Sequence, residues 1–256
     1  MKTISAMKDR LTGSIASYRK DCACRQLQKM DSDIDKLLTP EQLTQFRASE
    51  PALAAVKVLG VCSEKPCTVS QSDFVIVRDF LVTEIAIANA KRSSVLANMT
   101  VDQFAQARLV DGLYVVSAAD HKTSCTYGPA KIVLSSTLHR WISVYTQSVR
   151  PTVIISADVR AELFVSWNGE SLTSGQITRA VQSIWKKAGF GEQITMNIVR
   201  NTAVSAIHQK CPEMSLNLAD LMCHRVRTAQ GCYRLIEREK SSVSVVSYVS
   251  YLCTSC

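Results

Sequence analysis

Residues 173–189, TSGQITRAVQSIWKKAG, constrain the fold more than any other stretch of the chain. Thr173 with Gln176 three residues later forms the capping box that begins an α-helix. Apolar residues then follow at helical spacing and define one face: Ile177, Ala180, Val181, Ile184 and Trp185. Gly189 supplies the left-handed residue that commonly ends a helix. An apolar face of this width has to be buried, so the chain must fold around helix packing.

Other patterns predict further helices and one β-hairpin. Residues 1–59 are predicted to form short helices, one of which begins at the capping sequence TPEQ, residues 39–42. A long helix follows from Ser72, with an apolar face of Val77, Phe80, Leu81 and Ile85. The β-branched segments GLYVVSAAD and AKIVLS predict an antiparallel hairpin near residues 113–134. The expected fold class is therefore α+β, mostly helical.

The second half of the chain continues the helical pattern. Thr100 and Gln103 form another capping box, residues 138–149 have helical composition, and NGE is a turn after ELFVSW, which could form a strand. Three more helices are predicted at MNIVRNTAVSAIHQK, LNLADLMCH and TAQGCYRLIEREK. In the first of these the predicted apolar face is Val199, Ala203, Ala206 and Ile207.

The least periodic stretch of the first half is GVCSEKPCTVSQ, residues 60–71, where we place a domain boundary. This divides the chain into a basic helical segment of residues 1–69 and a larger domain of residues 70–256 with a C-terminal tail. The chain has 30 Lys and Arg against 22 Asp and Glu, and its net charge of +8 favours a polyanionic partner.

The ten cysteines indicate reduced thiols in a reducing intracellular compartment, because the chain is core-rich and its start has no apolar leader. Three cysteine pairs are each half of a zinc site without a second half of matching spacing, so no metal is expected: Cys22 and Cys24, Cys62 and Cys67, and Cys253 and Cys256. No apolar run reaches membrane-spanning length.

Five residues in chain order could together break a phosphodiester: Arg92, Lys122, Arg200, His224 and Tyr233. A tyrosine phenol, whose ordinary pKa is near 10, can attack a phosphate if positive groups compensate the charge of the transition state. Two arginines can clamp the non-bridging oxygens, and a lysine can protonate the leaving oxygen. A histidine can help deprotonate the phenol or hold a phosphate oxygen. No metal or other cofactor is required.

The order and spacing of these residues resemble the tyrosine recombinase (phage integrase) superfamily. NIVRNTA places Arg200 in the second arginine box, and MCH places His224 nine residues before Tyr233. Upstream, NAKRSSVLANMT resembles the first arginine box, with Arg92 as its arginine. HKTSCTYGPAKIVL resembles the hairpin that carries the family's lysine, with Lys122 matching. The resemblance covers roughly residues 70–240, looks closest to transposon-derived animal members, and implies a tyrosine-recombinase-like catalytic domain.

Three positions depart from the family pattern. Asn197 stands where the family has histidine, and asparagine can donate to a phosphate oxygen but cannot take a proton. Val95 replaces an acidic residue, and Cys223 replaces a glycine. If the hairpin register differs, Lys131 is the alternative to Lys122. The remaining histidines are predicted to be surface residues: His121, His139 and His208.

The resemblance implies an enzyme that binds duplex DNA and forms a 3′-phosphotyrosine at Tyr233, with Asn197 assisting the arginines. It further implies a homo-oligomer, a tetramer on paired sites, located in the nucleus if the host is eukaryotic. The alternative is a catalytically degenerate DNA-binding protein derived from a recombinase, and a structural protein with the same fold is a third reading. About seventy residues precede the catalytic domain, which is short for the family's DNA-clamping region and predicts a truncated or incomplete clamp.

Overall fold

The computed structural model describes residues 2–34, 36–64, 68–119, 128–154, 161–191, 194–222 and 245–246. The chain divides into two compact units. One unit is Leu38–Ala229, and the other combines Met1–Leu37 with Gln230–Cys256. The domain limits expected from the sequence, with a boundary at residue 69, stay a prediction.

The first described element of the second of these units is a single helix, α1 (Lys2–Ile34), which is 33 residues long. The prediction of short helices is therefore wrong for this stretch, which contains no proline and continues as one helix through Gly13. Large apolar side chains recur along α1 at helical spacing and are exposed: Met7, Leu11, Ile15 and Tyr18.

The larger unit begins with three helices, α2 (Pro40–Ala48), α3 (Glu50–Glu64) and α4 (Gln71–Asn89). Two short helices and three strands follow: α5 (Ser93–Ala97), α6 (Val101–Ala105), β1 (Arg108–Val110), β2 (Leu113–Ala118) and β3 (Ala130–Leu134). Among the described residues, the remaining α-helices are α7 (Ser136–Val144), α8 (Ser174–Lys187), α9 (Met196–Lys210) and α10 (Ser215–Leu221). A π-helical turn (Tyr145–Val149) and a 3-10 turn (Arg150–Thr152) follow α7, and a second 3-10 turn (Pro212–Met214) precedes α10. The predicted α+β class, mostly helical with a small antiparallel sheet, is confirmed.

Local sequence signals begin and end several of these helices as predicted. The capping boxes of Thr39, Thr100 and Thr173 are all present, each with its glutamine side chain bonded back to the cap. Gly189 follows α8 with a φ of 91°, the left-handed conformation that glycine adopts without strain. The segment ELFVSW, in contrast, forms only isolated bridges, such as Val165 opposite Ser171.

The sheet has the order β1-β2-β3, and both pairings are antiparallel. The predicted hairpin of β2 and β3 is present, with Val115 opposite Val133. Strand β1 was not predicted. It joins β2 through Asp111 and Gly112, whose φ angles of 50° and 79° fit the tight turn that an Asp-Gly pair favours in hairpins.

Helix α4 lies at the centre of the core and packs against α3, α7, α8, α9 and β3. Its predicted apolar face is buried, but Asp79 and Glu84 are buried as well. Each carboxylate is neutralised by an arginine, since Arg78 lies 2.7 Å from Asp79 and Arg47 lies 3.0 Å from Glu84. A helix surrounded on all sides buries polar residues only when they are paired.

Cys62, at the end of α3, is disulfide-bonded, so the prediction that all cysteines are reduced is wrong at this residue. Cys22, Cys24 and Cys211 are free thiols. Across the described residues, no helix combines the length and hydropathy needed to cross a membrane. The same residues contain no cluster of three or more histidine, cysteine or acidic side chains that could hold a metal ion.

Candidate active site

The first arginine box lies where α4 turns into α5, at residues 89–92, which we call the α4 junction. Helix α4 ends at Ala90, which has a φ of 49° and a ψ of 35°. A left-handed alanine is strained by roughly 1 kcal/mol, so surrounding contacts must hold it in place. Lys91 and Arg92 follow before α5 begins.

Arg92 occupies the N-cap position of α5 with extended backbone angles, and its side chain is partly buried. Arginine has no acceptor atom, so its side chain cannot cap the helix. Val95, one turn later, is 4% exposed and belongs to the hydrophobic core. Val95, which stands where the resembling family pattern has an acidic residue, therefore contributes to core packing.

Asn89 fixes the hairpin to the α4 junction. Its Nδ2 donates to the Val133 carbonyl at 2.9 Å, and its Oδ1 accepts the Val133 N–H at 2.6 Å. Asn89 is 1% exposed, so both bonds lie in the interior. Val133 belongs to β3, the strand that enters the hairpin after the segment containing Lys122. Lys131, the alternative lysine, is exposed on β3, and its Nζ donates to Oγ of Ser117 at 2.8 Å.

Lys91 connects the α4 junction to the end of α10. Its side chain is 2% exposed, and its Nζ donates a hydrogen bond to the carbonyl of Leu221. A cation at this position complements the partial negative charge at a helix C-terminus. The α4 junction therefore bonds both to β3, through Asn89, and to the end of α10, through Lys91.

Helix α9 carries the second arginine box. Thr195 begins the helix by accepting the Ile198 N–H, and Asn197 is exposed in the first turn. Arg200 is 9% exposed, and its Nη1 donates to Oδ1 of Asn197 at 3.5 Å. Helix α9 packs against both α4 and α10.

The buried face of α9 differs from the predicted one. Val199 is buried as expected, but Ala206 is exposed and Ala203 and Ile207 are only partly buried. The buried residues are Met196, Ile198, Val199, Arg200, Val204, Ser205 and His208. The helix therefore turns its arginine toward the interior, because it is packed between two neighbours instead of lying on a surface.

Two histidines expected on the surface are partly or fully buried. His139 stacks on Tyr114, with ring centroids 3.7 Å apart and an interplanar angle of 9°, and on Phe104 at 4.8 Å. Burial lowers the pKa of His139. His208 is 8% exposed, and its Nδ1 lies 3.1 Å from Oγ of Ser215. The surface prediction is wrong for both because each histidine bridges two elements.

Of the candidate catalytic residues, Arg92, Asn197 and Arg200 lie among the described residues. Lys122, His224 and Tyr233 lie outside them, as does His121. The sequence reasoning missed Asn89 and Lys91. The signal for both was a polar stretch, NAKR, directly after a long buried helix.

Neither the protein-family models nor the curated proteins include a match to this chain. Solved structures of recombinases share its fold, including two of XerH and one of XerA. The XerH site-specific recombinase bound to palindromic difH in a post-cleavage complex has a TM-score of 0.56 at 14% identity, covering 82% of this chain and 53% of that one. The pre-cleavage complex of XerH with difH has a TM-score of 0.54 at 15% identity, covering 81% and 52%. XerA recombinase has a TM-score of 0.53 at 14% identity, covering 80% and 62%.

These similarities define a class of fold. The chain has a mostly helical fold with a small antiparallel sheet, which matches the fold of the tyrosine recombinase catalytic domain. The chain spans between 52% and 62% of the length of these recombinases. At identities of 14–15% the similarity establishes the fold, and the chemistry has to be argued from the residues of this chain.

Proposed function

We propose that this protein binds duplex DNA and cleaves and rejoins its strands through a 3′-phosphotyrosine at Tyr233. The observation that carries the proposal is the α4 junction. Asn89 and Lys91, which precede Arg92 by three residues and by one residue, bond to β3 and to the end of α10. Two segments that are far apart in sequence are therefore bonded to the short stretch that carries Arg92.

The arginines supply the charge that the reaction needs. In the proposed transition state, Arg92 and Arg200 hold the non-bridging oxygens of the scissile phosphate, and Asn197 adds an amide donor. A guanidinium that is mostly buried acts in a low dielectric, where its interaction with a phosphate is stronger than in water. Arg200 fits this role because it is 9% exposed and is oriented by the side chain of Asn197.

The proposed steps balance without a cofactor. The phenol oxygen of Tyr233 bonds to phosphorus as its proton leaves with the help of His224, and the bond from phosphorus to the 5′-oxygen breaks. Lys122 gives a proton to that 5′-oxygen. A 5′-hydroxyl on a second strand then attacks the 3′-phosphotyrosine, which restores the phenol and a phosphodiester.

The biological setting belongs to the same proposal. The XerH complexes contain difH DNA substrates, which supports duplex DNA as the partner. We propose a homo-oligomer that assembles as a tetramer on paired sites, with residues 1–69 as its DNA-clamping segment. A transposon-derived animal origin and nuclear location complete the proposal.

The test is covalent capture on a nicked suicide duplex, read on a denaturing gel. Wild-type protein should give a protein–DNA band, and Tyr233→Phe should give none while DNA affinity changes less than about twofold, because only the nucleophile is lost. Tyr114→Phe is the matched control, because it also removes one phenol oxygen and keeps the ring that stacks on His139, and it should retain the band. Equal adduct from wild type and Tyr233→Phe would show that another residue is the nucleophile.

The second candidate is a DNA-binding protein that has lost the chemistry. Two observations favour it. Asn197, in the family's histidine position, cannot exchange a proton, and Val95 is buried in the core where the family has an acidic residue. Salt-dependent DNA binding without any covalent band, at several nick positions, would support this candidate over the first.

A further inference from the structure

Helix α1 carries an apolar face that is open to solvent. Four large side chains recur along it at intervals of four, four and three residues, and each is at least 50% exposed: Met7, Leu11, Ile15 and Tyr18. Such intervals place side chains on one face of a helix, and we call these four residues the α1 stripe. An exposed apolar patch of this kind marks a place where another surface binds.

The α1 stripe stands far from the end at which α1 continues into the rest of the chain. Helix α1 runs without a break to Ile34. At 1.5 Å per residue, Tyr18 lies roughly 24 Å from that end and Met7 lies roughly 40 Å from it. A stripe displaced this far along a helix can reach the surface of a neighbouring molecule.

An apolar groove of about 900 Å³ lies between the starts of α3 and α4. Helix α3 contributes Pro51 and Ala54 to its walls, and α4 contributes Val75 and Ile76. A second cavity of about 300 Å³ shares Ala54 with the first and extends it along α3. We call the two cavities together the α3–α4 groove.

The groove and the α1 stripe match in length. The apolar residues that α3 gives to the groove again recur at intervals of three and four: Pro51, Ala54, Val58 and Val61. From Pro51 to Val61 is roughly 15 Å of helix, and from Met7 to Tyr18 is roughly 16 Å. One helix face can therefore lie along the other over its whole apolar length.

The charges of the two helices favour this pairing over a pairing of α1 with itself. Helix α1 has seven basic and four acidic residues, a net charge of +3, so two copies of α1 repel each other. Helix α3 has two acidic residues and one lysine, a net charge of −1. The lining of the groove adds Asp73 and Lys187, which balance each other, so the groove does not repel a basic helix.

We infer that the α1 stripe of one copy of this chain docks into the α3–α4 groove of a second copy. The contact joins two different surfaces, so it closes by reciprocal exchange in a dimer or around a ring. A ring of four copies is the tetramer of the proposed function, on which the biological role of the contact rests. The contact itself requires neither DNA nor Tyr233.

Sedimentation velocity of the full chain without DNA, at increasing protein concentration, measures the association. Leu11→Gln keeps a good helix former and should raise the dissociation constant by roughly ten- to a hundredfold, because the burial of one leucine side chain is lost. Ala54→Gln should raise it as well, because the longer side chain occupies the groove.

Leu53→Gln is the matched control. Leu53 is 57% exposed and adjoins Ala54 on α3, but it is turned about 100° from Ala54 around the helix axis. This variant makes the same change as Leu11→Gln outside the groove and should associate as the wild type does. A loss of association in Leu53→Gln equal to that in Ala54→Gln overturns the assignment of the groove.

A mixture of the two weakened variants separates docking from misfolding. Leu11→Gln keeps an intact groove and Ala54→Gln keeps an intact stripe, so the mixture should associate more tightly than either variant alone. A wild-type chain that stays monomeric at about 100 µM overturns the inference. Ala54→Gln that associates like the wild type overturns it too, because the partner of α1 would then be a second α1. No outcome depends on covalent capture, so failure here and failure of the proposed function are distinguishable.

Discussion

Arg200 donates a hydrogen bond from Nη1 to Oδ1 of Asn197, 3.5 Å away and one turn earlier on α9. The arginine is buried and the asparagine is exposed, so the pair links the interior to the solvent-facing start of the helix. An asparagine can direct the guanidinium in this way without offering a proton to the reaction. In the proposed function, this pair orients the guanidinium of Arg200 while Asn197 contributes no proton transfer.

The planar shape of the Arg200 side chain is predicted to matter more than its charge. Arg200→Lys keeps a cation but loses the fork that contacts two phosphate oxygens at once. Adduct formation should slow by about 100-fold or more, as for the loss of a transition-state donor, while the DNA dissociation constant changes less than about tenfold. Arg179→Lys, on the exposed side of α8, is the control and should behave as wild type. Parallel losses in rate and affinity would contradict a transition-state role.

Binding to duplex DNA is predicted to weaken linearly in a plot of log K against log salt, because each neutralised phosphate releases counterions. Arg92→Ala should reduce the magnitude of the slope by about one, as expected for one lost phosphate contact. Tyr233→Phe removes no charge and should keep the wild-type slope. Fluorescence anisotropy with a labelled duplex, titrated at several salt concentrations from low to moderate, measures the slope for the wild type and for each variant. A slope of zero for the wild type would rule out DNA as an electrostatic partner.

The buried carboxyl of Asp79 is predicted to make stability fall as pH rises. Desolvation raises the pKa of Asp79 from 3.8 to about 6, against the opposing effect of Arg78. The folded state therefore binds a proton more tightly than the unfolded state, and stability is lost between about pH 4 and pH 6. A shift of about two pH units corresponds to roughly 3 kcal/mol. Asp79→Asn should remove this slope in urea unfolding measured across that range.

The matched control for this prediction is Asp102→Asn, which removes an exposed carboxylate in the first turn of α6. It should leave the wild-type slope in place. Only the slopes are compared, because Asp79→Asn also leaves Arg78 without its carboxylate partner. A slope that survives in Asp79→Asn would assign the pH dependence to another group.

His139 is predicted to act in the opposite direction. Burial lowers the pKa of His139, so the unfolded state binds its proton more readily and stability is lost as pH falls below the ordinary histidine value of about 6.5. His139→Phe keeps an aromatic ring against Tyr114 and Phe104 and removes the titration. The effect of Asp79 is the same in both proteins, so the change in urea midpoint from pH 7 to pH 5 should be more favourable in this variant than in the wild type. An identical change in both proteins would show that the ring stack does not respond to protonation.

Local signals in the sequence predicted the helix ends and the hairpin, since a capping box or a β-branched run is complete within a few residues. The helix start at Thr173 and Gln176 could be predicted without reference to any other part of the chain. The same reasoning placed Asn197 and Arg200 on one helix, as the structure has them. It missed β1 although the Asp-Gly pair that joins it to β2 is also a local signal.

The contacts that hold the candidate site could not be predicted from such signals. Asn89 reaches a strand 44 residues away, and Lys91 reaches a helix end 130 residues away. The burial of Arg200 and His208 likewise depends on which helices surround α9. Periodicity shows that a helix has an apolar face, but not that a neighbour also covers its polar residues.

The bonds between Asn89 and Val133 have a further consequence for solubility. Strand β3 is the outer strand on its side of the sheet, and Asn89 occupies both backbone groups that Val133 turns away from β2. An edge strand with unpaired N–H and C=O groups is a template to which strands from other molecules can add. At the centre of the β3 edge, the side-chain amide of Asn89 makes the hydrogen bonds that a neighbouring strand would otherwise make. Asn89 therefore blocks the addition of another strand at this point of the β3 edge.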